Sequence, residues 1–221
     1  MKINNADIEW LGHSAVKIKI IGKTIYIDPY QINSSEKADI ILITHSHYDH
    51  CSQPDMEKIA KDGTIIMCTA DCQSKIARIS KKIKLEPVEP GMEIAIDALK
   101  IKTIEAYNLS KKFHPKNEYW VGYIIQADST AIYHAGDTDQ IKEMEKLTGY
   151  SKKGNFFIAF LPVGGTYTMN AEEAAEAASV IKPSLAIPMH YGSVIGSKAD
   201  AEKFVKLCKE KGIKAQILEK S

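Results

Sequence analysis

Residues 45–50, with the sequence HSHYDH, constrain this chain more than any other segment, and they come directly after the apolar run 40–43. Divalent metals such as zinc favour imidazole nitrogen, and a nearby carboxylate can complete or bridge the ligand set. Because His45 and His47 are two residues apart, they share a face in extended backbone, whereas the last two residues turn towards a second position. A polar loop with ordinary histidines explains this crowding poorly. The segment predicts one short loop that serves two adjacent metal ions.

The spacing His-x-His-x-Asp-His resembles the signature of the metallo-β-lactamase-fold superfamily, whose later ligands follow separate strands. Asp137 follows the strand-like residues 130–132 and matches the bridging aspartate of that family. His190 follows the strand-like residues 184–187 and matches the last histidine. Together with three further segments, these motifs resemble the branch that contains L-ascorbate-6-phosphate lactonase-like enzymes. The further segments are residues 10–14, 27–29 and 161–169.

One ligand position departs from that pattern. The third motif of the family supplies a histidine near a strand end, but Asn108 stands there in this chain. An amide oxygen is a weak, neutral ligand that suits harder cations better than zinc. We expect His114, six residues further on, to fill the missing coordination, with Asn108 as a second-shell or substrate contact. Two alternatives stay open: His114 is a solvated loop histidine, or one metal is bound loosely or not at all.

Charge and composition narrow the class of protein. The length of 221 residues is consistent with one domain over residues 1–221. The net charge of +1 gives no strong electric field that would attract nucleic acid or a membrane surface. A lysine cluster beside His114 fits a solvated face, although it could also attract an anionic substrate. The N-terminus has no secretory signal pattern, and the four cysteines lack the look of a disulfide framework. We therefore expect a cytoplasmic protein.

The periodicity predicts a mixed α/β (α+β) chain, with strands and helices alternating in both halves. The resemblance implies a four-layer αβ/βα sandwich, in which two mixed sheets flanked by helices hold the metals at one edge. The predicted strands are residues 8–11, 16–21, 24–27, 39–44, 64–68, 93–96, 99–106, 120–127, 130–133, 156–161, 184–187 and 215–218. Helices are predicted from Ser52 onwards and over residues 71–81, 170–181 and 197–211.

The resemblance also implies how the ligands divide between two metals. One metal is held by His45, His47 and the third ligand, the other by Asp49, His50 and His190, and Asp137 bridges them. Two Zn²⁺ are the expected ions, with Mn²⁺, Fe²⁺ or Ni²⁺ as alternatives. Water between them would become a hydroxide nucleophile near neutral pH. Asp49 is the predicted catalytic residue, which orients the hydroxide or accepts its proton.

Five further residues are candidates for contacts with substrate or with the ligands. Asp28 could orient a ligand imidazole, or simply form an Asp-Pro turn. His134 fits a satisfied core histidine or a proton donor, and the resemblance places His13 near the metals. Thr166 and Tyr167 follow two adjacent glycines, which could form a substrate-binding loop or a plain tight turn.

The leading functional hypothesis is a metal-dependent hydrolase that uses a metal-activated hydroxide on a small ester, lactone or phosphoester. The alternatives are a metal-dependent nuclease or phosphodiesterase, and a non-catalytic metal-binding module. A nuclease is disfavoured because the chain is short and nearly neutral and has no appended nucleic-acid-binding domain. The expected partner is therefore a small-molecule substrate, and the sequence leaves open whether the chain forms a homo-oligomer.

Overall fold

Two mixed β-sheets lie face to face in the structure, a computed structural model that describes residues 1–152 and 154–221. Within these residues, the first sheet has the spatial order β1 (Lys2–Ile3), β2 (Ala6–Gly12), β3 (Ala15–Ile20), β4 (Lys23–Ile27), β5 (Ile40–Ile43), β6 (Ile65–Cys68) and β7 (Lys84–Pro87). The second has the order β13 (Leu185–Met189), β12 (Phe156–Pro162), β11 (Thr130–His134), β10 (Val121–Ala127), β9 (Leu99–Glu105) and β8 (Glu93–Ile96).

Strand β5 shows why the layers stack as they do. Successive side chains of a strand point to opposite faces of the sheet. All four side chains of β5 are buried, so both faces of the sheet are covered at this strand. Ile40 and Leu42 join the apolar core between the two sheets. Ile41 and Ile43 join a second core that lies under the helices of the first half. A continuous apolar strand therefore faces apolar layers on both sides, as the sequence predicts.

Helices cover the outer face of each sheet. The first half has α1 (Gln53–Ile59) and the short α2 (Gln73–Ile76), whose buried residues join the second core. The second half has α3 (Ala171–Ile181) and α4 (Lys198–Glu210), which pack on each other and on β12 and β13. The predicted sandwich of two mixed sheets between helices is thus confirmed. None of the described helices is long and apolar enough to cross a membrane.

Two predicted elements are wrong. The helix predicted over residues 71–81 is only a short 3-10 turn followed by α2, because the backbone N–H groups of residues 78 and 79 donate to carbonyls three residues back and that of Ser80 donates to Glu57 of α1 at 2.8 Å. The strand predicted over residues 215–218 pairs with β13 through a single bridge at Ala215. The chain then crosses to the first sheet, where Lys220 bridges Trp10. The strands β1 and β7 were not predicted.

The parallel parts of both sheets place their carboxyl ends at one edge of the sandwich. Strands β4, β5 and β6 are parallel in the first sheet, and β11, β12 and β13 are parallel in the second. Loops that follow parallel strands emerge at the same edge. The segment 45–50 after β5, Asp137 after β11 and His190 after β13 therefore meet there, although they are far apart in sequence.

Candidate metal centre

Buried imidazole and carboxylate groups form two adjoining ligand clusters at this edge. In one, single ligand atoms of His45, His47 and His114 lie within 4.8 Å of one another. In the other, ligand atoms of Asp49, His50, His190 and also His13 lie within 4.8 Å of one another. The structure therefore brings together the residues that the sequence assigns to two metals, and it adds His13 to the second cluster.

Asp137 lies between the two clusters. Its Oδ2 is 3.2 Å from His114 Nε2 of the first cluster and 3.0 Å from His190 Nε2 of the second. Its Oδ1 is 3.3 Å from His50 Nε2. A carboxylate that contacts both clusters with both oxygens has the position of a bridging ligand.

Asp28 orients the imidazoles of two residues in the segment 45–50. Its Oδ2 accepts a hydrogen bond from His50 Nδ1 at 2.8 Å and another from Thr44 Oγ1 at 2.6 Å. Since the Thr44 hydroxyl donates to Asp28, its oxygen accepts from His45 Nδ1 at 2.9 Å. Both imidazoles therefore hold a proton on Nδ1 and direct Nε2 towards the centre. This is the arrangement by which carboxylates orient metal-binding histidines.

Asn108 orients the imidazole of His114 as Asp28 orients that of His50. Asn108 Oδ1 accepts from the His114 backbone N–H and from His114 Nδ1, both at 3.0 Å. Its amide group donates to Asp139 Oδ1 at 3.1 Å and to the carbonyl of Tyr167 at 3.0 Å. His114 therefore stands with His45 in the first cluster, and Asn108 lies behind it.

The donor set fits a pair of divalent metal ions. His50 Nε2, His114 Nε2 and Asp137 Oδ1 are buried, and although the two nitrogens lie 3.2 to 3.3 Å from the Asp137 carboxylate, the angles make no hydrogen bond within the described part of the chain. A buried polar atom without a partner is costly, and such atoms signal an ion or water that belongs there. Because these atoms converge while the opposite ring nitrogens of the two histidines are occupied, the residues suit borderline metals that prefer nitrogen and carboxylate ligands.

Electrostatics divide the cluster into neutral and charged groups. Burial, reinforced by His50, holds the pKa of His45 well below its usual value. Burial disfavours the ionised form of Asp137, but His190 and His50 outweigh burial and hold the pKa of Asp137 well below its ordinary value. Burial likewise opposes charge on His50, yet Asp137 and Asp28 raise the pKa of His50 well above its usual value. Metal binding must therefore expel a proton from His50.

His13 anchors Asp49. Its Nε2 lies 2.9 Å from Asp49 Oδ2, and although burial raises the pKa of Asp49, the hydrogen bond from His13 lowers it to about 2. The backbone of His13 is left-handed with φ +52°, a conformation that costs free energy and clusters at functional sites. Its carbonyl accepts from His190 N at 2.9 Å and from Trp10 Nε1 at 2.9 Å. His13 is thus tied to Trp10 of β2 and to His190 after β13.

A cavity of about 190 Å³ opens onto both clusters. Its wall contains side chains from the clusters and, around them, a set of apolar and aromatic groups. The cluster residues in the wall are His47, Asp49, His114, Asp137 and His190. The surrounding residues are Tyr48, Phe113, Tyr167 and Val194. A small concave site with convergent polar groups is the usual form of a substrate site.

The structure places one of three predicted substrate contacts in the cavity wall. Thr166 is exposed and is not among the described residues that line the cavity, and its backbone N–H donates to the carbonyl of Gly164. His134 does not line the cavity either, since it is fully buried with Nε2 bonded to the carbonyl of Ser14 at 2.8 Å. Tyr167 does line the cavity, next to His114.

Two residues around the site were missed from the sequence. The Trp120 ring packs against the rings of His45 and His47, with centroids 4.8 and 4.9 Å apart, and its Nε1 donates to Asp71 Oδ2. Asp139 accepts from Asn108, and it stands two residues after Asp137. This closeness to a predicted ligand could have identified Asp139, whereas no local signal pointed to Trp120.

Known proteins share this fold and this set of motifs. Residues 7–190 match the Beta-lactamase superfamily domain family. A UPF0173 metal-dependent hydrolase from Thermococcus onnurineus is 35% identical over 96% of this chain and 94% of its own length. The crystal structure of a putative metal-dependent hydrolase from Parabacteroides distasonis is 31% identical, with a TM-score of 0.84 over 98% of this chain and 94% of that one.

A second solved structure agrees with these matches. A metallo hydrolase from the hyperthermophilic archaeon Ignicoccus hospitalis is 26% identical, with a TM-score of 0.77 over 98% of this chain and 96% of that one. The resemblance to the superfamily is thereby confirmed, while the likeness to the lactonase branch stays a prediction. The chain belongs to the metallo-β-lactamase superfamily and, within it, to the UPF0173 metal-dependent hydrolases.

Proposed function

We propose that the chain hydrolyses a small ester, lactone or phosphoester at a dinuclear metal centre formed by the two clusters. One observation carries the proposal. His50 Nε2 and His114 Nε2 converge with Asp137 Oδ1 as buried atoms without hydrogen bonds in the described residues, while Asp28 and Asn108 hold the opposite ring nitrogens. Such preorganised donors cost less to assemble around an ion than mobile ones.

In this proposal His45, His47 and His114 hold one ion, and Asp49, His50 and His190 hold the other with Asp137 between them. His13 is within reach of the second ion and also anchors Asp49. Two divalent ions at these positions, zinc being the expected pair, would lower the pKa of a water molecule towards neutrality and polarise the substrate oxygen.

The protein's own part is to hold charge and geometry. With a pKa of about 2, Asp49 is a weak base at neutral pH, so its carboxylate accepts a hydrogen bond and orients the attacking group rather than storing a proton. Trp120 shields one side of the first cluster from solvent, since its ring is buried against His45. A drier site strengthens each of these electrostatic contacts.

Metal content per chain tests the dinuclear centre. Reconstituted protein is expected to hold about two zinc or manganese ions per chain, and His114→Ala about one. His134→Gln is the matched control, because His134 is buried as deeply but bonds only to backbone groups. Elemental analysis is the measurement. About one ion per chain, unchanged in His114→Ala, would refute the dinuclear centre.

Loss of hydrolysis tests the catalytic assignment. His47→Ala and Asp49→Ala are each expected to reduce kcat/KM for a cleaved ester by at least about a thousandfold, because each removes a proposed ligand from its cluster. Initial rates of the metal-reconstituted variants are the measurement, with His134→Gln again as the control. Full activity in either cluster variant would contradict the mechanism.

A further inference from the structure

We propose that the cavity selects neutral esters or lactones with an aromatic or alkyl group and discriminates against phosphoesters and other anions. This inference rests on the proposed hydrolase function and narrows its substrate class. In the reaction, water adds across the acyl carbon–oxygen bond: its hydroxyl goes to the acyl carbon, and its proton goes to the departing alcohol oxygen. The charge and apolar surface of the cavity carry the argument.

The cavity wall offers no cationic side chain to an anion. Among the described residues that line it there is neither a lysine nor an arginine, whereas two carboxylates, Asp49 and Asp137, face inward. Apart from bound metal ions, sites that recognise phosphate groups usually present guanidinium or ammonium donors to their oxygens. A third carboxylate, Asp28, lies behind His50, and with Asp49 and Asp137 it would offset most of the positive charge of two bound divalent ions.

Two of the three lysines near His114 are bound to other carboxylates, and the third, Lys112, is exposed and is not among the described residues that line the cavity. Lys111 Nζ donates to Asp139 Oδ1 at 2.6 Å and lies 3.7 Å from Glu173 Oε2. Lys116 Nζ lies 3.1 Å from Glu143 Oε1 and 4.4 Å from the centre of the Tyr107 ring. Both ammonium groups are therefore held by partners outside the cavity wall. The attraction of an anionic substrate that the lysine-rich loop suggests is not supported by its geometry.

Exposed aromatic side chains surround the mouth of the cavity instead. Tyr48 is 61% exposed and Phe113 is 46% exposed, although both are large and apolar. The Phe113 ring meets the Tyr167 ring edge to face at a centroid distance of 4.7 Å, and Tyr48 meets Tyr30 in the same way at 5.8 Å. Exposed apolar surface at the rim of a pocket marks a site that a ligand covers.

A matched pair of substrates tests the charge preference. Phenyl acetate and 4-acetoxybenzoate carry the same cleaved ester and differ by one carboxylate on the ring. For metal-reconstituted protein, kcat/KM for phenyl acetate is expected to exceed that for 4-acetoxybenzoate by at least about tenfold. Tyr48→Lys places an ammonium group at the mouth and should raise kcat/KM for 4-acetoxybenzoate relative to that for phenyl acetate. Equal efficiency with both substrates would overturn the proposal.

Rim variants test the apolar contacts. Phe113→Ser and Tyr48→Ser are expected to raise KM for phenyl acetate about tenfold, which corresponds to about 1.4 kcal/mol, while kcat changes by less than about twofold. Tyr119→Ser is the matched control, because Tyr119 is 65% exposed but does not line this cavity. An unchanged KM in both rim variants would overturn the role of the aromatic rim.

A binding measurement separates this inference from the hydrolase proposal. If metal-loaded protein cleaves neither ester, the hydrolase proposal loses support, and the cavity is tested with acetanilide, which is neutral and carries the same ring as phenyl acetate. Saturation-transfer NMR is expected to show acetanilide bound to wild-type protein and to Tyr119→Ser, and bound more weakly to Phe113→Ser. Absence of binding to wild-type protein would overturn the inference.

Discussion

Three imidazoles of the centre are each oriented by a hydrogen-bond partner on Nδ1. Asp28 holds His50 directly and His45 through Thr44, and Asn108 holds His114. Such partners decide the tautomer and the angle of each ring, which is why outer partners affect metal affinity nearly as much as ligands do. The left-handed backbone of Asp28, with φ +44°, is the cost of this placement.

Replacement of this partner should weaken metal binding. Asp28→Asn puts an NH₂ donor where one oxygen accepts, so either Thr44 or His50 loses its acceptor. Metal affinity is expected to fall by about 10- to 100-fold, measured by competition with a chromophoric chelator. Asp55→Asn is the control, because Asp55 accepts from two backbone N–H groups and contacts no histidine. Equal affinity in wild type and Asp28→Asn would exclude this orienting role.

Gly164 is needed where the chain passes His190. A Cβ atom on this residue would lie 2.6 Å from the His190 carbonyl oxygen and 3.2 Å from His190 Nδ1. Gly164→Ala should therefore displace His190, destabilise the protein by about 1–3 kcal/mol and lower its metal affinity. Chemical denaturation and chelator competition measure the two effects, with the exposed Thr166→Ala as control. Wild-type values for both would show that the chain accommodates the methyl group.

At the scale of elements, the loop that carries Tyr167 depends on the start of α3. Asn170 caps this helix by accepting from the Glu173 backbone N–H at 2.8 Å, and the Glu173 carboxylate accepts from Asn170 N at 2.9 Å. Gly164 pairs with Asn170 through an isolated β-bridge. The loop that carries Tyr167 therefore begins and ends at residues that contact each other, and its last residue is the N-cap of α3. The helix itself buries its alanine face, including Ala174 and Ala178, in the core.

Loss of the cap should lower stability by a measurable amount. Asn170→Ala removes the side-chain acceptor and is expected to reduce the free energy of unfolding by about 1 kcal/mol. Asn170→Asp retains an acceptor at the same position and should stay close to wild type. Urea denaturation of metal-loaded protein compares the three. If alanine and aspartate behave alike, the hydrogen bond to Glu173 contributes nothing to stability.

At the scale of the whole molecule, burial of the histidines couples folding to pH. Burial is the leading cause that lowers the pKa of His13, His45, His47 and His134 below 6.5, whereas the pKa of His50 is raised. In metal-free protein, the four lowered groups take up protons on unfolding below about pH 6.5. The free energy of unfolding therefore falls with falling pH, and His50 alone opposes this.

The thermal stability of the metal-free protein should therefore fall at acid pH. Chelator-treated protein is expected to have a lower Tm at pH 5.5 than at pH 7.5, and the loss should be smaller in His134→Gln, which removes one lowered group. Calorimetry at the two pH values is the measurement. An equal or higher Tm at pH 5.5 would mean that the effect of His50 outweighs the other four.

Many elements of the fold and several residues of the site could be predicted from the sequence. The segment 45–50 was recognised as a ligand candidate because residue type and spacing are local properties, whereas Asp137 and His190 were recognised from the resemblance to the superfamily. The strands and the helices α3 and α4 were recognised because side-chain periodicity is local too, but the sandwich of two sheets came from the resemblance. The helix expected over residues 71–81 is shorter than predicted, and Ser80 at its end instead contacts Glu57 on another element.

Only the tertiary structure decided which groups complete the centre and what the cavity accepts. His114 joins the first cluster because Asn108 is held from Asp139 and from the Tyr167 carbonyl, which come from loops about 30 and 60 residues further along the chain. The position of Lys111 is likewise decided by the tertiary structure, because its ammonium group pairs with Asp139 and does not line the cavity. The sequence specifies the residue types. The distances between these residues and their hydrogen-bond partners depend on how strands that are far apart in the chain pack into two sheets.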